Sequence, residues 1–441
     1  MGLDVFQQLV VALEPEIAPH PLKRCVVIQW VIFPFFRRHA FTTQSSLKSF
    51  YMVFKIFSMM GKRILILGAG FGGLTAANVL RKSLSQDHKI IVIDRKRSFM
   101  MGLVKLWILE GSRKLEESQT PLDGLNARGI EYLNDEVIKI DTASSRVQAS
   151  GHGWIEYDYL IVSLGAELAP EKIAGFTGNG YNLYNAQEVP KLRERLLSLK
   201  SGSVAISIMG MPYKCPPAPY EAAMIISSLL TRQGTRNSIE LDLYAPAPIA
   251  LPVAGPKISS NVVEIISEQG IRFHPSHKIK SVSDRQLEFE NGAMQGYDVL
   301  VGIPPHKVPE VVRSSGLTGG GDWVAVDRHT MKTSVKNVFA IGDVTEIKVG
   351  AIAVPKAGIF AEEEAKVAAR QIMDEIAGKP ATAAFSGQGY CFMEVGNRRA
   401  GSVEADFYNP AGPSIKLEPP SEQNYEKKQD FERTRVKEWL L

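Results

Sequence analysis

Cysteine is scarce: Cys25, Cys215 and Cys391 are the only three in 441 residues. Thiols so few and so scattered exclude a disulfide framework, and none has the close pairing of a zinc site, so no metal is expected. A redox pair with one bystander is what they allow. Long hydrophobic runs are missing too, since no stretch reaches the roughly 18 to 20 apolar residues of a spanning helix. Charge is balanced, with 51 basic and 47 acidic residues giving a net +4. No basic run carries interleaved aromatics, which excludes nucleic acid as a partner. Neither a secretory cleavage site nor a twin-arginine signal is found. A cytoplasmic protein is expected, either free or peripheral on a membrane surface. The oligomeric state is not legible.

The length predicts two or three domains. Residues 1–60 show no turn-punctuated alternation of strand and helix, and the apolar stretch from Cys25 to Phe36 holds Gln29 and Pro34. They read as an appendage with the working protein beginning at Met60, or as a segment resting on a membrane. From Lys62 the pattern changes. Arg63 to Leu67 is a continuous apolar strand, glycine-rich sequence follows, Leu74 to Leu80 has helical spacing, and Ile90 to Ile93 is a second strand. That βαβ opening belongs to a doubly wound parallel sheet. A second strand and helix pair, Val204 to Ile208 and Tyr220 to Leu230, leads to a strand at Ile239 to Tyr244. The expected class is α/β with two Rossmann-like nucleotide-type domains. One comprises residues 61–172 and 306–380, and the other residues 173–305. Residues 381–441 add a hairpin and an amphipathic helix.

Gly68, Gly70 and Gly73 form G-x-G-x-x-G between the first strand and its helix, and Asp94 ends the next strand. The first glycine permits the turn, the second admits a pyrophosphate, and the third lets helix pack on strand. Helix amides and dipole favour the phosphates, while Asp94 can accept ribose hydroxyls. Phe71, Gly72 and Val137 join the same cofactor set. Two later segments, YDYLIVSLG ending at Gly165 and VFAIGD ending in Gly342 and Asp343, resemble the second and third FAD segments of glutathione-reductase-like flavoproteins. That resemblance implies FAD. Lys356, before a helix rich in alanine, either stabilises the anion of reduced flavin or is simply solvated.

The second domain lacks its nucleotide loop. After Ile208 the chain reads MGMPYKCPPAPYEAA, where Pro212, Pro216, Pro217 and Pro219 have no N–H to offer a pyrophosphate. The following strand ends in Ala245 and Pro246, with neither acid nor arginine for a nicotinamide ribose. Cys215 sits in this proline loop before a helix whose N-terminus is expected to lower its pKa. Cys391 lies in GQGYCFMEVG. A buried, inert thiol is the other reading of each.

The segments KCPPAPYEAA, DVLVGIPPHKVPEVV, FAIGD, VPKAGIFAEEEA and GYCFMEVG together resemble the flavocytochrome c sulfide dehydrogenase and sulfide:quinone oxidoreductase family. The resemblance runs from about Lys62 to the C-terminus. It implies a redox disulfide between Cys215 and Cys391, Glu221 as the adjacent carboxylate, and Pro304 to Pro309 lining the cleft. It also implies sulfide as reductant and quinone or another acceptor, with the Cys391 thiolate facing the flavin. Glu221 is either an acid–base group or a charge on the helix dipole. No third active-site cysteine is available within the region of resemblance, and SFMMGLVKLWILEG has no cysteine for covalent attachment, so FAD is expected to be non-covalent. The charged helix Tyr425 to Leu441 either lies on a membrane interface with Trp439 at the boundary or packs on its own protein. The alternatives are a type II NADH dehydrogenase, against which the proline loop argues, and a flavin redox sensor without turnover.

Overall fold

A computed structural model describes residues 61–441; the expected appendage, residues 1–60 with Cys25, lies outside them. β1 (Arg63–Leu67) and β2 (Lys89–Asp94) read as unbroken apolar runs because nearly every position is buried. Between them α1 (Phe71–Ser83) buries Leu74, Ala77 and Leu80 and places Arg81 and Lys82 in its last turn, where they suit the dipole. α2 (Val104–Glu110) ends at Gly111, whose φ of 97° supplies the left-handed cap. β3 (Glu131–Asn134) and β4 (Tyr159–Val162) follow.

The chain then builds β5 (Tyr181–Asn182), β6 (Gly202–Ile208), α3 (Ala218–Gln233), β7 (Ile239–Tyr244), β8 (Arg272–His274) and β9 (Val299–Ile303). These strands form one sheet in the order β5-β9-β6-β7-β8, all parallel. β10 (Val338–Ala340) returns to the first sheet, whose order is β10-β4-β1-β2-β3, again all parallel. Each parallel sheet has its own three-stranded antiparallel meander, from Val137 to Glu156 in one and from Ile279 to Gly296 in the other. The two halves therefore share one wiring, and the α/β class expected from sequence is the one found.

α4 (Gly358–Ile376) packs along α1. The expected hairpin proves to be a three-stranded sheet of β11 (Gln388–Glu394), β12 (Ala400–Asp406) and β13 (Ser414–Leu417). The short third strand follows a Gly-Pro turn and offers only Ile415 and Leu417 as apolar positions, which is why it reads as loop. α5 (Glu422–Leu440) begins at Ser421, whose hydroxyl accepts from Asn424 N at 3.1 Å. It packs on its own protein. Trp439 is only 2% exposed and makes edge contacts with Phe71 and Phe99 at 5.3 and 5.7 Å, so the reading that put Trp439 at a membrane boundary is corrected. One apolar cluster joins Ile64 and Ile66 of the first sheet with Val204 and Ile206 of the second. Lys62–Leu441 forms a single compact unit as a result.

Candidate active site

Strands β1, β2, β4 and β10 all deliver their C-terminal ends to one cleft of about 960 Å³, lined there by Gly68, Asp94, Gly165 and Asp343. Ligands of open parallel sheets bind at that edge. Gly68 has φ +97°, and a Cβ on it would stand 2.4 Å from Ser163 O; one on Gly73 would stand 1.8 Å from Gly68 O. Those two glycines hold the turn and the helix contact, so Gly73 lies behind the cleft wall. Gly70 has nothing within 4 Å of such a Cβ and borders the open cleft with Phe71 and Gly72. Asp94 anchors the loop: Oδ2 accepts from Ala69 N at 2.7 Å and Oδ1 from Lys96 N at 2.8 Å. Each oxygen keeps lone-pair capacity for a ribose hydroxyl. Val137 and Gly342 complete the lining of the predicted set.

Lys356 is not solvated, and it lines the cleft. It is 8% exposed and its Nζ donates to the carbonyls of Asp343 and Thr345, each at 2.8 Å. Burial brings its pKa down to about 8, and its two bonds brace the loop that carries Asp343. Behind that loop Glu364 Oε2 accepts from Gly342 N at 2.6 Å. Burial also raises the pKa of Asp343, against the pull of Lys214 and Lys356. Of the PPHKVP segment, Lys307 and Pro309 line the cleft, whereas His306 turns inward, its Nδ1 bonded to Pro304 O at 3.0 Å.

Cys215 and Cys391 border the same cleft as the glycine loop, and both are free thiols. The expected bridge between them is not formed here. Cys215 adopts φ +51°, a left-handed conformation that side chains other than glycine rarely take. Its N–H donates to Lys356 O at 2.7 Å, and Tyr184 Oη donates to Lys214 O at 2.7 Å. These bonds hold the loop in that conformation. Its pKa runs opposite to expectation. Burial pushes the Cys215 thiol well up, Glu221 and Cys391 add to the rise, and Lys428 and Lys105 oppose it. α3 starts only at Ala218, so desolvation and a neighbouring carboxylate outweigh the helix dipole. Burial and Glu221 likewise push Cys391 up to about 11.

Glu221 is 2% exposed, and its Oε1 accepts from Glu394 N and from Lys428 Nζ, each at 2.8 Å. Those bonds run to β11 and α5, so Glu221 joins segments while standing in the first turn of α3. Lys428 Nζ also reaches Glu394 Oε2 at 3.0 Å, and Trp107 Nε1 donates to that same oxygen at 3.1 Å. Burial raises the pKa of Glu221, with Lys428 opposing. Burial works against the charge of Lys428 as well, but the two carboxylates more than offset it. Sequence reasoning missed Lys428 and Glu394. The signal was a lysine on the same helical face as Tyr425 and Phe431, and a glutamate inside the apolar strand Phe392 to Val395. Lys105, lining the cleft from α2, was also missed; burial and the neighbouring Lys214 and Lys96 bring it down to about 7.

A glycine cradle at the carboxyl edge of one parallel sheet, beside a second sheet of the same wiring and two cleft thiols, defines a dinucleotide-dependent redox protein. Residues 62–371 match the pyridine nucleotide-disulphide oxidoreductase family, and the chain belongs to it. The mitochondrial sulfide:quinone oxidoreductase of Mus musculus is 26% identical over 316 residues, covering 67% of this chain and 69% of that one. The sulfide-quinone reductase of Aquifex aeolicus (strain VF5) is 26% identical over 341 residues, covering 73% and 78%. The crystal structure of the Aquifex aeolicus sulfide:quinone oxidoreductase superposes with a TM-score of 0.77 at 24% identity, covering 85% of this chain and 90% of that one. The chain is a flavoenzyme, and its cofactor is FAD. The open face at Gly70 and the free acceptor capacity of Asp94 fit a dinucleotide there. Among the described residues no helix is long and apolar enough to cross a membrane.

Proposed function

We propose that this enzyme oxidises hydrosulfide through a Cys215–Cys391 dithiol and disulfide couple and passes the electrons through FAD to a quinone. The observation that carries this reading is the sharing of one cleft by Cys215, Cys391, Glu221 and the glycine cradle. Support comes from relatives named for sulfide and quinone. Residues 61–172 and 306–380 hold the cofactor in this account, residues 173–305 carry the Cys215 loop, and residues 381–441 supply Cys391 and Lys428. Gly68 to Gly73 and Asp94 hold the adenosine diphosphate portion, and Gly165, Gly342 and Asp343 hold the remainder. FAD, when bound, supplies a two-electron acceptor beside the thiols.

The cysteine chemistry balances as thiol–disulfide exchange. Hydrosulfide attacks the sulfur of Cys215 in the oxidised couple; the bond to Cys391 breaks, a persulfide forms on Cys215, and Cys391 leaves as a thiolate. A second hydrosulfide removes the outer sulfur as a disulfide anion, the shortest polysulfide, and returns Cys215 to the thiol state. Restoring the Cys215–Cys391 bond from that thiol and thiolate frees two electrons, which FAD held in the cleft would accept, and one proton, which goes to Glu221 or solvent. A lipid-soluble acceptor places the work at a membrane surface, so peripheral association belongs to the proposal.

NADH oxidation is disfavoured by the same loop. A Cβ on Gly210 would lie 2.7 Å from Pro305 Cγ, so the glycine that remains serves packing against the proline segment. Anaerobic titration of the FAD-loaded protein tests the reading: sulfide is expected to bleach the flavin rapidly, and NADH is not. Bleaching by NADH alone would overturn it.

A further inference from the structure

Two segments bring the thiols to the cleft, and neither is tied to the other by the sheets. Cys215 precedes α3, and Cys391 lies on β11 of the C-terminal sheet. Glu221 stands on the first turn of α3, and Glu394 ends β11. Both carboxylates reach one ammonium, Lys428 Nζ, at 2.8 and 3.0 Å. Each of the three side chains is at most 3% exposed. A charge buried this deeply is retained only where its partners compensate it, so the cluster fixes its members in one geometry. Lys428 itself comes from a third element, α5, and lines the cleft beside the cysteines.

We propose that Lys428 is a positioning residue that clamps α3 to β11 and thereby sets the alignment of Cys215 with Cys391, an inference that rests on the sulfide-oxidising reading above. The groups around Glu221 are Cys215 from the proline loop, Tyr184 from the segment after β5, Cys391 and Glu394 from β11, and Lys428 from α5. Lys428 is the cation bonded to Glu221 in that set. Its charge opposes the rise that burial imposes on the Glu221 carboxyl, which shares the cleft with the thiols.

Lys428→Met alone leaves two buried carboxylates uncompensated and threatens folding. The deciding variant is Lys428→Met with Glu394→Gln, which keeps the net charge of the cluster unchanged and removes both ammonium–carboxylate bonds, leaving the Glu394 N–H on Glu221 Oε1 as the remaining bond of the cluster between α3 and β11. Two measurements are made on the full, FAD-loaded chain. The first is the rate of Cys215–Cys391 disulfide formation with diamide, which removes two electrons and two protons from the thiols, followed by thiol counting. It is independent of sulfide. The second is the rate of flavin bleaching by sulfide across pH. Melting is expected to fall by less than in Lys428→Met alone, because one buried carboxylate rather than two loses its cation, and flavin content to stay close to wild type, with both rates falling roughly 10- to 100-fold, as misplacement of reacting groups by about 1 Å does. The acidic limb of the bleaching profile is expected to move to higher pH, because losing Lys428 makes Glu221 harder to ionise. Disulfide formation at the wild-type rate would overturn the clamp. Failure of wild type to bleach with sulfide would instead overturn the reading of function, with the diamide rates still deciding the clamp.

Discussion

At the residue scale the site is a set of buried ionisable groups whose charges are set by desolvation and by the ion partners each one keeps. Glu364 is the plainest case. Burial, with Asp343 adding to it against the Gly342 N–H, pushes its carboxyl from an ordinary 4.5 up to about 8. The folded state therefore holds a proton that the unfolded chain gives up between those values. The stability this contributes is complete below about pH 4.5 and is lost as pH rises through about 8. The loss is on the order of a few kcal/mol, at roughly 1.4 kcal/mol per tenfold difference in proton affinity. Urea unfolding near pH 5 and near pH 8 is expected to show that decline, and Glu364→Gln, which keeps an acceptor for Gly342 N, is expected to flatten it. An equal slope in both proteins would contradict the assignment. The glycines and Asp94 were legible in sequence because backbone geometry dictates them, and so was the shared neighbourhood of Cys215, Cys391 and Glu221, through resemblance. The Glu221–Lys428–Glu394 cluster was not, because a pairing across α3, β11 and α5 leaves no local periodicity. The direction of the Cys215 shift was misread, since helix position is visible in sequence and burial is not.

Among the elements, α5 is the one whose sequence left two placements open. Its alternating Glu, Lys and Arg left a membrane-resting helix and one packed on its own protein both open, and the burial of Tyr425, Lys428, Trp439 and Leu440 decides for packing. Trp439 closes an aromatic group with Phe71 and Phe99, two residues that also line the cleft. Trp439→Ala is expected to cost about 3 to 5 kcal/mol, as truncating a buried aromatic does, and to lower flavin content through Phe71. Thermal melting with the flavin-to-protein ratio checks both. Unchanged melting would mean that α5 docks without it. The parallel strands were readable because doubly buried strands are unbroken apolar runs, and β7 appears at the expected bounds. β13 was not, being four residues long with half of them polar.

Across the whole molecule, one wiring is used twice for different ends. The first half keeps its glycine loop, where the proposal seats FAD. The second keeps its five parallel strands but has replaced the loop by a proline-rigid turn presenting Cys215. The duplication was visible in sequence as two strand and helix pairs. The docking of the C-terminal sheet, which brings Cys391 to the cleft, was reached only through the family resemblance, because it depends on contacts between segments far apart in the chain. The most direct test of the account is anaerobic, sulfide-dependent reduction of a short-chain quinone by the FAD-loaded protein, with Cys215→Ser and Cys391→Ser measured alongside. The account predicts turnover by wild type and a loss of roughly 100-fold or more in each variant, with flavin content unchanged. Turnover that survives either substitution would contradict it.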